Sequence, residues 1–148
     1  MFKKVIEYLK SREWYYTITE QSDEEQKVIF GILTHHSTYD CMIRVFKKRR
    51  QLSIVINFPQ TVPQEKYQQL SQILILLNSR FFSGGFEIDF GDGEMRFRNG
   101  LFYGKSETTL EVIEHYLNSS IFCIDESYEI LEKAVYGADV RELMGELK

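Results

Sequence analysis

The stretch Tyr39-Asp40-Cys41-Met42-Ile43-Arg44-Val45-Phe46-Lys47-Lys48-Arg49-Arg50-Gln51-Leu52-Ser53-Ile54-Val55-Ile56-Asn57-Phe58 decides how this chain folds. Two runs rich in β-branched and aromatic residues flank a block of four cations. Ile43 and Val45 in the first run, and Ile54 and Ile56 in the second, recur at every other position, which is the period of a strand. The link Lys47–Arg50 is far too short for a parallel crossover, which takes about a dozen residues or more. The two runs are therefore predicted to form an antiparallel hairpin with the cations at its tip.

Reading back toward the start, His35-His36-Ser37-Thr38 closes another turn, and Val28 to Thr34 reads as the preceding strand. Gln21 to Gln26 is a polar turn. Before it, Trp14, Tyr16 and Ile18 alternate with Tyr15, Thr17 and Thr19, which predicts a first strand. Phe2, Val5, Ile6 and Leu9 recur at helical spacing ahead of that strand.

Beyond Phe58, Pro59 and Pro63 bracket a change to a helix. Thr61 and Gln64 have the spacing of a capping box. Tyr67, Leu70, Ile73, Leu74 and Leu77 form its stripe, and Ile75 and Leu76 widen it, so this helix is predicted to be covered on more than one side. After Gly84-Gly85 comes a second hairpin. With Asp92-Gly93 as a two-residue loop, Asp89 faces Arg96, Glu87 faces Arg98, Phe90 faces Met95 and Ile88 faces Phe97. Thr108 and Glu111 predict a cap for a helix carrying Leu110, Ile113 and Leu117. A further helix from about Asp125 to Tyr136 ends at Gly137. Val140, Leu143, Met144 and Leu147 make a last amphipathic helix, too short to stand alone.

The order α-ββββ-α-ββ-α-α predicts an α+β fold: an antiparallel sheet of about six strands with helices packed mainly on one face. No linker, repeat or composition shift divides the 148 residues, so one domain is expected. Its aromatic content is high, with 11 Phe and 9 Tyr, which favours a sheet with large buried side chains.

The second face of that sheet bears on function. One face takes Ile43, Val45, Ile54 and Ile56. The other takes Met42, Arg44, Phe46 and Val55, and Phe30 and Ile32 of the preceding strand are grouped with them. A sheet with one wet side alternates more cleanly than this. The second face is therefore expected to lie under the chain's own helices or, failing that, against a partner chain.

A net charge of −4 is the wrong sign for coating nucleic acid or an anionic membrane. No apolar run approaches the length of a membrane span, and the N-terminus lacks the apolar core of a signal peptide. The expected compartment is the cytoplasm, where Cys41 and Cys123 are small buried hydrophobes.

Three motifs resemble those of the YbjN-like family of bacterial proteins. They are Leu76-Leu77-Asn78, the strand entry Gly85-Phe86-Glu87-Ile88-Asp89, and the return strand Gly93-Glu94-Met95-Arg96-Phe97-Arg98. Asp125, Tyr128, Leu131, Val135 and Gly137 resemble that family's closing helix, although a Pro common there is missing here. The likeness runs from about Lys4 to Gly137 and leaves out the final helix. It implies a fold similar to the type III secretion chaperones, which are small acidic proteins, typically dimeric, that bind segments of other proteins. It implies a sensory-transduction regulator, of a family with no established enzyme activity.

Candidate chemistry is thin. His35, His36, Asp40 and Cys41 surround one turn, but they lack zinc-ligand spacing, and adjacent strand residues point to opposite faces. A thiolate at Cys41 is disfavoured among apolar neighbours. Glu111 and His115 form a solvated helix pair. Gly91-Asp92-Gly93 and Ser83-Gly84-Gly85 serve turns, since neither has the lysine of a phosphate loop. No catalytic residue, metal site or cofactor is expected.

The function expected is a non-enzymatic protein-binding module, a chaperone-like or regulatory adaptor acting as a homodimer, with no membrane partner. Its candidate docking residues are Phe30, Ile32, Met42, Arg44, Phe46 and Val55 on the sheet, and Val140, Leu143, Met144 and Leu147 on the last helix. One alternative is a small-ligand protein or enzyme with an unrecognised pocket. A second is nucleic-acid binding through phosphate contacts at Lys48, Arg49 and Arg50.

Overall fold

The computed structural model describes residues 1–106 and 108–147. Helix α1 (Phe2–Ser11) leads into four strands, β1 (Tyr16–Gln21), β2 (Glu25–Leu33), β3 (Thr38–Phe46) and β4 (Gln51–Asn57). A 3₁₀ turn at Gln64–Lys66 opens α2 (Tyr67–Asn78), which is followed by β5 (Gly85–Ile88) and β6 (Met95–Phe102). Helices α3 (Leu110–Glu126), α4 (Tyr128–Val135) and α5 (Val140–Glu146) complete the chain. The strands form one antiparallel sheet in the order β1-β2-β3-β4-β6-β5. The predicted α+β architecture is the one observed.

The pairing of β3 with β4 sets Ile43 against Ile54 and Cys41 against Ile56. That row continues through Val28 and Phe30 on β2 and through Asn99 and Phe97 on β6. These side chains share one face, and the helices pack on it. Val5 and Leu9 of α1, Leu70, Ile73 and Leu77 of α2, Ile113 and Leu117 of α3 and Leu131 of α4 join them in one buried cluster. Each such side chain contributes about 1.5–3 kcal/mol relative to exposure.

Local chemistry accounts for the boundaries. Helix α1 stops where Glu13 takes a φ of 56° and the Trp14 N–H reaches back to the Leu9 carbonyl at 3.2 Å. The Trp14 ring then stacks on Phe30 at 5.8 Å. Thr109 caps α3 by accepting from the Val112 N–H at 3.3 Å, one residue after the expected Thr108. The expected Thr61–Gln64 box does not form, because Gln64 opens the 3₁₀ turn and Val62 is drawn into a hydrogen bond with the Gly93 carbonyl at 2.9 Å.

The second hairpin departs from expectation by two residues. Ile88 faces Met95, Glu87 faces Arg96 and Phe86 faces Phe97. The Asp89 N–H bonds to the Glu94 carbonyl at 2.8 Å, so Phe90 to Gly93 form the loop rather than Asp92-Gly93 alone. Gly93 has a φ of +76°, and a Cβ there would lie 2.5 Å from the Val62 carbonyl, so the tip is seated against Val62. Phe90 leaves the ladder to stack on Tyr67 at 5.0 Å. A slip of two residues keeps every side chain on its predicted face, whereas a slip of one inverts them all.

Asn78 shows why the helix before β5 ends in that residue. Its amide donates to the Phe86 carbonyl at 3.0 Å and accepts from the Phe86 N–H at 2.7 Å. The side chain thereby stands in for a missing strand on the outer edge of β5. Gly85 allows the approach, since a Cβ there would sit 3.2 Å from the Asn78 amide.

Three expectations are corrected. Helix α2 is covered by the sheet and by α5, as expected, but Ile75 does not widen its buried stripe, being 68% exposed. The α5 stripe docks on its own chain: Leu143 is buried, and Val140, Met144 and Leu147 pack against the core, so these residues do not offer a free partner surface. The helix after α3 starts at Tyr128 rather than near Asp125, because α3 runs on to Glu126. No helix among the described residues is long and apolar enough to cross a membrane.

Replacing Asn78 by Ala leaves two half-buried main-chain groups of Phe86 without partners and is expected to cost about 1–3 kcal/mol in urea unfolding. The exposed control Gln68→Ala should stay within about 0.5 kcal/mol of the parent. An Asn78→Ala midpoint equal to the control's would show that the amide bridge does not brace the edge.

Candidate functional site

The face of the sheet turned away from the helices is uncovered. Ile29 is 42% exposed, Leu33 81% and Phe102 69%. Met42 and Phe46 are half-buried, whereas Val55 is fully enclosed, yet Val55 lies outside the core cluster. Its row neighbours on the adjoining strands are Met42 and Arg98. The helices among the described residues therefore do not cover this face, contrary to the expectation drawn from the apolar pattern of the strands.

Register sorts the candidate docking residues. Ile29, Met42 and Val55 form one row, and Phe46, Gln51 and Phe102 form another. Phe30 pairs with Cys41, and Ile32 with Tyr39, on the opposite pleat. Both are 6% exposed and belong to the helix-packed core. They are removed from the candidate site, and Ile29, Leu33 and Phe102 take their place. The sequence signal was available: strict alternation along β2 places Ile29 with Met42 once the β2–β3 turn is counted correctly.

Ion pairs thread the apolar rows. Arg44 pairs with Glu25, and that hydrogen bond holds the Glu25 carboxyl below its usual range. Arg96 reaches Glu87 at 2.8 Å and Asp89 at 3.2 Å, and Arg98 reaches the same Glu87 at 2.8 Å. The guanidinium groups of Arg44 and Arg49 lie 4.8 Å and 5.8 Å from the centre of the Phe46 ring. Gly31 adds no side chain, and a depression of about 730 Å³ opens there, bounded by Tyr15, Thr17, Ile29, Asp40 and Met42. The surface is mixed, with apolar rows and paired charges side by side, which is the make-up of a non-obligate protein interface.

The basic tip is partly engaged. Lys48 pairs with Glu24 at 3.0 Å, and Arg50 donates to the Gly104 carbonyl at 2.9 Å. Lys48, Arg49 and Arg50 are nevertheless all exposed.

A second polar cluster sits at the far end of the molecule. Asp125 accepts from the Thr34 hydroxyl at 2.7 Å and from the Tyr39 hydroxyl at 2.9 Å. His36 places Nδ1 3.2 Å from Asp125 and Nε2 3.5 Å from Glu129, and its ring stacks on Tyr128 at 5.6 Å. His35 meets it edge-on at 4.9 Å. These contacts tie the β2–β3 turn to the α3–α4 junction. The Asp125 contact raises the His36 pKa above its ordinary value, outweighing desolvation, and Glu129 adds to the effect. Burial pushes Asp125 up, but hydrogen bonds from Thr34 and Tyr39 together with the nearby His36 bring the net value below the usual range. Cys41 does not join the cluster; burial drives its thiol pKa strongly upward.

A raised histidine stabilises the fold fully below its unfolded pKa of about 6.5 and loses that contribution as pH rises through the folded value. A lowered aspartate contributes above its unfolded value of about 3.9 and loses it as pH falls. The stability lost in His36→Gln is therefore expected to be largest between about pH 4 and 6.5 and to shrink above that window. Urea midpoints of parent and variant measured across pH test this; a difference that grows toward alkaline pH would contradict the clamp.

Residues 3–133 match the model of the YbjN family, described as "Putative bacterial sensory transduction regulator". No curated protein matches the chain in sequence. Three solved structures share its fold. The crystal structure of YbjN, "a putative transcription regulator from E. coli", superposes with a TM-score of 0.61 at 11% identity, covering 92% of this chain and 93% of that one. The HopA1–SchA chaperone–effector complex gives 0.54 at 12% identity, covering 86% and 92%. The ExsC–ExsE complex gives 0.51 at 12% identity, covering 87% and 91%.

Proposed function

We propose a protein-binding role for this chain, which belongs to the YbjN family: a chaperone-like or regulatory adaptor that carries out no catalytic step. The observation that carries the reading is the uncovered sheet face, where Ile29, Met42, Phe46 and Phe102 stay accessible between ion pairs. Exposed apolar rows rimmed by polar groups mark interaction surfaces. Two structures with the same fold are complexes with another protein, HopA1–SchA being described as chaperone and effector. Kinship of fold alone is weak evidence for role, so the surface bears the weight. The reading also takes the working unit to be a homodimer in the cytoplasm. The titratable groups support it as well. His36 and Asp125 are engaged in joining a turn to a helix junction, and the Cys41 thiol is buried.

The test combines affinity capture from the native organism, with partner identification, and light scattering of the purified chain. Ile29→Glu combined with Met42→Glu places two carboxylates in the middle of the open face without touching the core. This variant is expected to lose the captured partner by roughly tenfold or more in affinity while its urea midpoint stays close to the parent's. Light scattering is expected to give twice the chain mass. A strict monomer that recovers no identified partner, or a partner held equally well by the double variant, would overturn the reading.

A further inference from the structure

The sheet has two outer edges, and their protection differs. On β5 the Asn78 amide occupies the main-chain groups of Phe86. On β1 a bulge between Ile18 and Glu20 breaks the register, which blunts an edge. Between them lies a gap. Strand β6 is longer than β5: their pairing ends at Gly85 and Arg98, and Asn99 to Phe102 have β4 on one side and, among the described residues, no strand on the other.

Hydrogen bonding shows which groups face the gap. The Met95 carbonyl accepts from Phe58, and the Tyr103 N–H donates to Arg50, so the odd-numbered residues of β6 address the β4 side. Gly100 and Phe102 therefore point their main-chain groups outward. The Gly100 N–H is already taken by the Asn99 side chain at 2.8 Å. The Gly100 carbonyl and the Phe102 N–H and carbonyl have no partner among the described residues, and they lie at the rim of a cavity of about 470 Å³ bounded by Phe46, Ser83, Gly84, Arg98 and Phe102.

Charge selects the occupant. The tip Lys47–Arg50 lies at this end, since Gln51 pairs with Phe102. Lys47 and Arg49 are exposed and have no carboxylate within ion-pair distance among the described residues. The carboxylates nearby, Glu25 and Glu87, are held by Arg44 and by Arg96 and Arg98. A second copy paired antiparallel here would set its own basic tip beside Arg98, cation against cation. A strand edge with aromatic side chains on the adjoining face and uncommitted cations at its end is complementary to an extended segment that alternates apolar and acidic residues.

We propose that the free edge of β6 at Gly100–Phe102 accepts such an acidic, extended segment of a partner protein as an added strand, with Lys47 and Arg49 meeting its carboxylates. Apolar residues of the segment lie on Phe46 and Phe102, and main-chain pairing supplies the register. This rests on the protein-binding reading and names where, and by what chemistry, the partner is held.

The test uses the full chain and fluorescein-labelled short peptides followed by anisotropy. A peptide of alternating Val and Glu is expected to bind, and its Val/Lys counterpart to bind about tenfold more weakly or not at all. Methylating alternate main-chain nitrogens of the Val/Glu peptide should abolish binding in one of the two frames. Phe102→Pro removes an outward N–H that β4 does not use and should weaken binding about tenfold or more, whereas Phe102→Ala keeps the N–H and should lose less. Lys47→Glu with Arg49→Glu should reverse the preference between the two peptides. Equal binding of both peptides, full binding by Phe102→Pro, or insensitivity to main-chain methylation would overturn the proposal. So would retention of oligo(dT) through Lys47 and Arg49 without peptide binding, or a dimer that dissociates in Phe102→Pro, which would assign the edge to a second copy. If the methylated and unmethylated peptides bind alike while the identified partner is still lost in the Ile29→Glu, Met42→Glu variant, the edge proposal fails and the protein-binding reading stands.

Discussion

The pairing of β3 with β4 is the constraint on which the remaining architecture depends. It sets Ile43 against Ile54 and Cys41 against Ile56, and the same rows extend to Val28, Phe30 and Phe97. All these side chains leave one face of the sheet and meet α1, α2, α3 and α4 in one buried cluster. Because side chains alternate strictly, Ile29, Met42, Val55 and Phe102 must then leave the other face. Among the described residues, every helix that packs on the sheet does so on the first face, so Ile29, Met42, Phe46 and Phe102 on the second stay accessible while Val55 is enclosed.

Each sheet edge meets a different fate, and the differences come from single residues. Asn78 projects from the end of α2 and completes the hydrogen bonds of Phe86, a position β5 could otherwise offer to another strand. Gly85 and Gly84 permit that closeness, the latter lying where a Cβ would be 2.8 Å from the Arg98 carbonyl. The same tight turn keeps β5 short and leaves the end of β6 unpaired. Closure at one position and opening at the next thus share one cause, the path of the chain from α2 into β5.

The chain belongs to the YbjN family, and the protein-binding role proposed for it draws on an open sheet face and its edge. The charges on that face are mostly neutralised in pairs, as in Glu25 with Arg44 and Glu87 with Arg96 and Arg98. Paired charges keep the apolar rows soluble without generating a strong field of one sign. The tip is the departure from this pattern, and its cations give the surface a direction.

Alternation in Tyr39–Phe46 and Leu52–Phe58, together with a connection too short for a crossover, determined the antiparallel sheet. Helical spacing located the helices and Gly137 marked the end of α4, because these are local properties of the backbone, whereas the expected Thr61–Gln64 box and Thr108 cap did not form. Asp92-Gly93 marked a turn in the right place, but the loop spans Phe90 to Gly93, since the contacts of Gly93 with Val62 and of Phe90 with Tyr67 come from segments distant in sequence. Phe30 and Ile32 illustrate the same limit: both faces of β2 carry apolar residues, so hydrophobicity does not say which one the helices take, and only the register to β3 does. The stripe on α5 was legible as amphipathic, but whether it met its own chain or another depended on packing against α2 and α4. The tertiary structure alone decided which sheet face stayed open and which edge stayed unpaired, because both follow from where the helices and the Asn78 side chain come to rest.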